Sequence, residues 1–189
     1  MHKIYKTFLM LLIVAATFTV GTATVFSKST VMVGGEAMYP TKDIIDNAVN
    51  SKDHTTLVAA VKAAGLVETL KGPGPFTVFA PTNDAFENLP AGTVETLLKP
   101  ENKGTLTTIL TYHVVPGNWD SAAIQEQVKS NGGKAEFKTA SGGTLIAWLN
   151  GPNNIVIKDE KGNVANITTY DVYQSNGVIH VIDKVVLPN

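Results

Sequence analysis

Residues 76–86 read Phe-Thr-Val-Phe-Ala-Pro-Thr-Asn-Asp-Ala-Phe, and this segment is the most informative part of the sequence. The run from Phe76 to Ala80 is rich in residues that favour strands, and its apolar residues alternate as in a half-buried β-strand. Pro81 follows directly, and proline lacks the N–H group that a continuing strand ladder needs. The pattern therefore predicts a short strand that ends at Pro81.

The second half of the stretch predicts the start of a helix. Asp84 is the predicted N-cap of a turn that begins at Ala85, because a carboxylate accepts hydrogen bonds from the free N–H groups of a helix start. Glu87 stands three residues later, where its side chain reaches back as in a capping box. Phe86 and Leu89 then fall on one helical face. We expect Asp84 to be a structural residue of this motif.

Two further segments support an identification based on residues 76–86. Residues 112–117 read Tyr-His-Val-Val-Pro-Gly, and residues 177–188 read Gly-Val-Ile-His-Val-Ile-Asp-Lys-Val-Val-Leu-Pro. In this order and spacing the three segments resemble the signature boxes of the fasciclin-like domain family, from Met38 to Pro188. The resemblance implies an α+β fold: a β-wedge or sandwich flanked by several short helices.

The residue pattern outside the boxes agrees with this fold class. Helical patterns broken by glycine and proline occupy the chain as far as Thr111, and strand patterns separated by hairpin-like turns follow from Lys134. Helices in one half and strands in the other are typical of α+β proteins, not of a regular βαβ alternation. We predict a single domain over residues 38–189, preceded by a linker over residues 29–37.

Residues 1–28 have the pattern of an export signal. Lys3 and Lys6 precede an uncharged run over residues 7–27 whose most apolar part is the length of a signal-peptide core. Small residues predict cleavage after Ala23. The alternative is an uncleaved N-terminal anchor, because the run is close to the ~20 residues that span a bilayer. Either outcome predicts a protein that is secreted, periplasmic or held at the cell surface.

Composition excludes several classes of function. The chain has no cysteine, so it forms neither disulfides nor thiolate sites, and all 15 of its basic residues are lysine. Scattered lysines without arginine argue against nucleic-acid binding. We find no nucleophile elbow, phosphate-binding loop or paired metal-ligand histidines. We therefore expect no enzyme activity, no metal and no cofactor.

The candidate site residues are few. His113 either hydrogen-bonds across to another segment and holds the fold together or, with Tyr112, contacts a partner, since the resemblance associates this motif in animal relatives with integrin binding. His180 lies inside an apolar strand, where a hydrogen-bonded core histidine is the expected role. Trp119 follows a Pro-Gly-Asn loop and is the predicted surface contact, whereas Trp148 is predicted to be packed.

Two functions are consistent with these features. The first, implied by the resemblance, is an exported non-enzymatic adhesion or interaction module that binds an extracellular protein, a matrix component or a cell-surface component. The alternative is a carrier of a small apolar ligand, such as a carotenoid or lipid, held between helices and sheet. The absence of cysteine and of catalytic motifs fits both functions.

Overall fold

The computed structural model describes residues 28–189, so the predicted signal peptide lies outside the described residues except for Lys28. The helices are α1 (Ile44–Ala48), α2 (Thr55–Ala64), α3 (Val67–Lys71), α4 (Asn83–Glu87), α5 (Thr93–Leu97), α6 (Lys103–Tyr112) and α7 (Ser121–Ser130), with 3-10 turns at Lys52–His54 and Pro100–Asn102. The strands are β1 (Val31–Val33), β2 (Glu36–Met38), β3 (Phe76–Pro81), β4 (Val114–Pro116), β5 (Lys134–Lys138), β6 (Thr144–Leu149), β7 (Ile155–Lys158), β8 (Val164–Gln174) and β9 (Gly177–Ile182).

Strands β3 to β9 form one seven-stranded sheet in the order β4-β3-β9-β8-β7-β6-β5. Strands β3 and β9 are its parallel pair, in which Phe79 lies opposite His180, and its other pairs are antiparallel. The sheet curls until its two edges approach, and the Ala140 N–H donates to the Val114 carbonyl across the remaining gap at 2.7 Å. The predicted α+β class is confirmed, with the strands in a nearly closed sheet flanked by short helices.

Two apolar cores lie on opposite faces of this sheet. The helical-layer core joins helices α1 to α6 to one face of β3 and β9, and its members include Ile44, Leu57, Val61, Val78, Phe86 and Leu110. The sheet interior is enclosed by the curled sheet and covered by α7, and its members include Phe79, Tyr112, Ile124, Val128, Leu145 and Ile157. Successive side chains of a strand point to opposite faces, which is why neighbours in β3 belong to different cores.

The segment predicted to be a linker, residues 29–37, is instead largely a β-hairpin. Strands β1 and β2 pair in antiparallel register around Gly34 and Gly35, which have φ values of +60° and +78°. Two successive residues with positive φ make the tight turn that matches strand twist. Val33 and Met38 are buried in the helical-layer core. The folded part therefore begins near residue 31, ahead of the predicted boundary at Met38.

The described residues, 28–189, contain no helix with both the length and the apolar character needed to cross a bilayer. The longest helices, α2, α6 and α7, have 10 residues each. At a rise of about 1.5 Å per residue these helices are about half the thickness of a membrane core.

Candidate functional site

Strand β3 ends at Pro81 as the sequence predicts, but the helix that follows is capped by Thr82 and not by Asp84. The Thr82 backbone is extended, and its hydroxyl accepts a hydrogen bond from the Ala85 N–H at 3.3 Å. Helix α4 therefore begins at Asn83, two residues earlier than predicted. Asp84 is exposed in the first turn, where its charge faces the positive end of the helix dipole.

Asn83 connects the same motif to helix α2. Its side-chain carbonyl accepts hydrogen bonds from the Thr56 N–H at 3.0 Å and from the Thr55 hydroxyl at 3.2 Å. Its amide donates to the Lys52 carbonyl at 2.8 Å. Because free N–H groups at a helix start need acceptors, Asn83 stabilises the start of α2 from the first turn of α4.

Tyr112 ends helix α6 with a fully buried ring in the sheet interior. Its hydroxyl donates to the Thr144 carbonyl at 2.7 Å and accepts from the Glu160 N–H at 3.1 Å. Burial raises the pKa of Tyr112 to about 12, so the phenol stays protonated. The ring also fills the space beside Gly143, where an added Cβ would lie 2.6 Å from the ring carbon Cε2. Tyr112 thus ties the helix to two hairpin segments.

His113 follows at the junction between α6 and β4 and is also buried. Its Nδ1 lies 2.8 Å from the Ile109 carbonyl, and its Nε2 accepts from the Val186 N–H at 3.2 Å. This pair of partners assigns the proton to Nδ1. Burial lowers the pKa of His113 to about 4, and the hydrogen bond to Ile109 offsets only part of that effect. His113 is therefore a neutral link between helix α6 and the C-terminal segment.

A hydrogen bond links the His180 ring to the backbone of Trp119. The His180 ring is fully buried, stacks on Phe79 and has its Nε2 2.8 Å from the Trp119 carbonyl. Its Nδ1 accepts from the Asp171 N–H at 3.4 Å, and burial lowers the pKa of His180. The Trp119 indole is only partly exposed, because it packs edge-on against Phe137 at 5.1 Å between ring centroids.

The structure thus places the predicted contact residues inside or against the core. Tyr112 and His113 are buried where the resemblance implies a partner contact, and Trp119 is half-buried where a surface contact is predicted. The reason is local: α6 passes directly into β4, so the end of the helix is drawn under the curled sheet. Tyr112 and His113 therefore have almost no accessible surface, whereas Trp119 keeps a partly exposed indole.

The outward face of β5, β6 and β7 presents a second set of accessible side chains. Strand pairing places Lys134 opposite Trp148 and places Lys158 opposite Ile146, and directly paired residues lie on the same face of a sheet. Lys138 belongs to the same face, with its ammonium group donating to the Thr144 hydroxyl at 2.7 Å. We call Lys134, Lys138, Lys158, Ile146 and Trp148 the lysine face.

Its three lysines are exposed, while Ile146 and Trp148 are half-buried between them. Trp148 lies beside the buried Val156 of the next strand, so the predicted packing of this residue is only partial. Glu136 is the acidic residue on the outward side of β5. The face therefore carries more positive than negative charge, on a chain whose net charge is −1.

Only part of the lysine face can be recognised from the sequence. Alternation of Lys134 and Lys138 with buried Ala135 and Phe137 is visible along β5. Lys158, however, joins them through strand pairing across β6, which a reading of separate segments does not give. No group of three or more histidine or acidic side chains within residues 28–189 is placed to hold a metal ion.

A comparison with protein families agrees with this architecture. The fasciclin domain model matches residues 52–188, which include all three signature segments. The chain belongs to the fasciclin domain family. Protein sll1483 of Synechocystis sp. is 52% identical over 147 residues, covering 77% of this chain and 73% of that protein.

Two other proteins are similar to this fasciclin domain, one in sequence and one in structure. The cell surface glycolipoprotein MPB83 of Mycobacterium bovis is 32% identical over 161 residues, covering 82% of this chain and 64% of that protein. A solved pair of FAS1 domains from the insect cell adhesion molecule fasciclin I superposes with a TM-score of 0.69 at 17% identity, covering 77% of this chain and 51% of that chain. At this identity the structural match shows a common fold.

Proposed function

We propose that this protein is an exported, non-enzymatic adhesion module that binds a protein or matrix partner at the cell exterior through its lysine face. The observation that carries the proposal is the grouping of Lys134, Lys138 and Lys158 around a half-buried tryptophan on an outward sheet surface. Aromatic residues are enriched at binding surfaces, and positive charge attracts acidic partners over a distance.

Export is supported by the leader pattern and by the relatives. One relative is named a cell surface glycolipoprotein, and the structural match comes from a cell adhesion molecule. The leader itself supplies positively charged and apolar segments in the order of a signal peptide. The proposed location is the periplasm, the cell surface or the medium.

The chemistry of the interior supports a role without catalysis. His113 and His180 have both ring nitrogens paired with protein groups, and both are buried. A general acid or base must reach the proton of a bound substrate, and neither ring does. We therefore assign the proposed function to exposed side chains on the protein surface.

Attachment of the purified domain, residues 28–189, to envelope and matrix fractions of the producing organism tests the proposal. The variant Lys134→Glu/Lys138→Glu/Lys158→Glu should lose most of the attachment, because it reverses the charge of the lysine face. Trp148→Ser should weaken attachment by about tenfold or more if this side chain is an anchor.

The matched control is Lys42→Glu/Lys99→Glu/Lys129→Glu, which makes the same change of net charge at exposed lysines elsewhere. It should attach like the unaltered domain. Equal loss in both triple variants would show that overall charge, and not the lysine face, controls attachment. Turnover of a defined substrate by the purified domain would contradict the non-enzymatic role, and a cytosolic protein with an intact leader would contradict export.

A further inference from the structure

A cavity of about 110 Å³ lies in the helical-layer core, between helices α1 to α3 and strands β3 and β9. Apolar side chains make most of its wall, among them Ile45, Val58, Val61, Leu66, Val78 and Ile179. Cavities with apolar walls stay dry, and an engineered one of roughly 150 Å³ binds benzene. The space therefore suits hydrocarbon better than water.

The cavity opens to solvent between the three helices. Among its lining residues, Val49, Lys62 and Thr69 are exposed, and they stand at the end of α1, on α2 and on α3. Val49 has 48% of its surface accessible, an unusual exposure for a large apolar residue beside a cavity. The exposed lining residues thus include an apolar side chain, Val49, and a charged one, Lys62.

Lys62 is the charged residue among those that line the cavity. The other titratable lining residues are His54 and His113, and burial lowers the pKa of both rings, so they are neutral at neutral pH. Among residues 28–189, Lys62 forms no ion pair, whereas the nearby acids Asp43 and Asp46 are paired with Lys71. Lys62 is therefore available to an anion at the mouth.

We propose that this cavity binds the hydrocarbon chain of a single-chain carboxylic acid of the fatty-acid type, with its carboxylate beside Lys62. His54, just before α2, and Lys62, in its last turn, both line the cavity, and their eight-residue separation corresponds to about 12 Å at the rise of an α-helix. Val58 and Val61 line the cavity between them and supply apolar contact, and the charge of Lys62 selects the head group.

This inference is independent of the adhesion function and narrows the carrier function that the sequence left as an alternative. A carotenoid is much larger than benzene, and a cavity of about 110 Å³ does not enclose it. A short or medium-length chain fits, with any further length left outside the mouth. The ligand class is thus set by the size of the cavity and by the charge at its opening.

The first experiment tests whether the cavity holds the hydrocarbon chain. It measures the binding of butanoate, hexanoate, octanoate and decanoate to the delipidated domain by calorimetry. Affinity should rise by about fourfold for each added methylene until the cavity is full, and then level off. Ala48→Leu, which fills the cavity from α1, should abolish octanoate binding. Val58→Phe is a second filling variant from α2, and Ala59→Leu is the control because Ala59 is exposed and outside the lining.

Comparison of octanoate with octanol tests whether the carboxylate lies beside Lys62. Lys62→Gln should weaken octanoate binding by about three- to fivefold, as for one exposed ion pair, and leave octanol binding unchanged. Lys129→Gln, a lysine on α7 far from the cavity, should change neither. Equal weakening of both ligands by Lys62→Gln would overturn the placement of the carboxylate.

The proposal fails if the unaltered domain binds none of the four acids, or if folded Ala48→Leu and Val58→Phe domains bind octanoate like the unaltered domain. Circular dichroism establishes that each variant is folded before binding is measured. Attachment through the lysine face should be the same in Ala48→Leu and in the unaltered domain, so failure of one proposal leaves the other standing.

Discussion

The two cores of this domain are built differently. The sheet interior holds most of the largest side chains that are fully buried, including Tyr112, Ile124 and Ile157. The helical-layer core contains the cavity and a histidine, His54, whose Nε2 is buried without a hydrogen-bond partner among residues 28–189. Burial lowers the pKa of His54, and the nearby Ala80 carbonyl offsets part of that shift without completing a hydrogen bond of normal geometry.

This contrast separates a rigid part of the domain from a part that can adapt. Polar groups of the sheet interior are paired across distant segments, as Tyr112 is with Thr144 and Glu160. Paired and closely packed groups favour one arrangement. The helical-layer core consists of short helices around unfilled space, so its side chains lose contacts that a ligand could restore. The first core therefore contributes the rigid packing, and the second contains the space for the proposed ligand.

Acidification should produce the largest effect. Native His113 stays neutral down to its pKa of about 4, whereas the unfolded chain takes up this proton below 6.5. The unfolded state then binds more protons, so the stabilisation is present above 6.5 and is lost as the pH falls towards 4. We expect the free energy of unfolding to fall by about 3 kcal/mol from His113 alone, measured by urea denaturation across this range.

His113→Gln isolates the contribution of His113 to this pH dependence, because glutamine does not titrate. The variant should be less stable at neutral pH and should show a shallower loss of stability between pH 6.5 and 4. Some slope should remain, since burial also lowers the pKa of His54 and His180. Identical slopes for the variant and the unaltered domain would show that His113 is not the buried neutral link that its contacts indicate.

A pair of valine truncations compares the two cores directly. Val128 on α7 is 1% exposed in the sheet interior, and Val61 on α2 is 6% exposed beside the cavity. Val128→Ala should cost about 2–3 kcal/mol, because it removes a closely packed side chain. Val61→Ala should cost about 1 kcal/mol, because a side chain next to empty space has fewer contacts to lose. Equal losses in chemical denaturation would contradict the contrast between the cores.

The sequence was sufficient for the parts of the fold that depend on local pattern. The end of β3 at Pro81 follows from the chemistry of proline, and the order of helices and strands follows from their periodicity. The hairpin over residues 31–38 was missed because three-residue strands show little periodicity. Its two glycines fit a flexible linker as well as a tight turn.

The candidate site depends on contacts between distant segments, and the sequence could not supply them. The partner of His113 is the backbone of Val186, 73 positions away, and Trp148 meets Lys134 only through the register of β5 and β6. The size of a cavity is a property of packing that no single segment contains. A motif can therefore mark where the chain is constrained without marking where it binds.

The smallest predicted effect concerns the first turn of α4, which anchors Phe86 in the helical-layer core. Thr82→Ala removes the side-chain acceptor of the Ala85 N–H and should lower the free energy of unfolding by about 1 kcal/mol. Asp84→Ala removes only an exposed charge near the helix dipole and should cost about 0.5 kcal/mol or less. Urea denaturation of both variants in low and high salt separates the two causes, since salt screens the dipole interaction and leaves the cap. A larger loss in Asp84→Ala than in Thr82→Ala would return the cap to Asp84, and would mean that the helical layer is rearranged at this turn in solution.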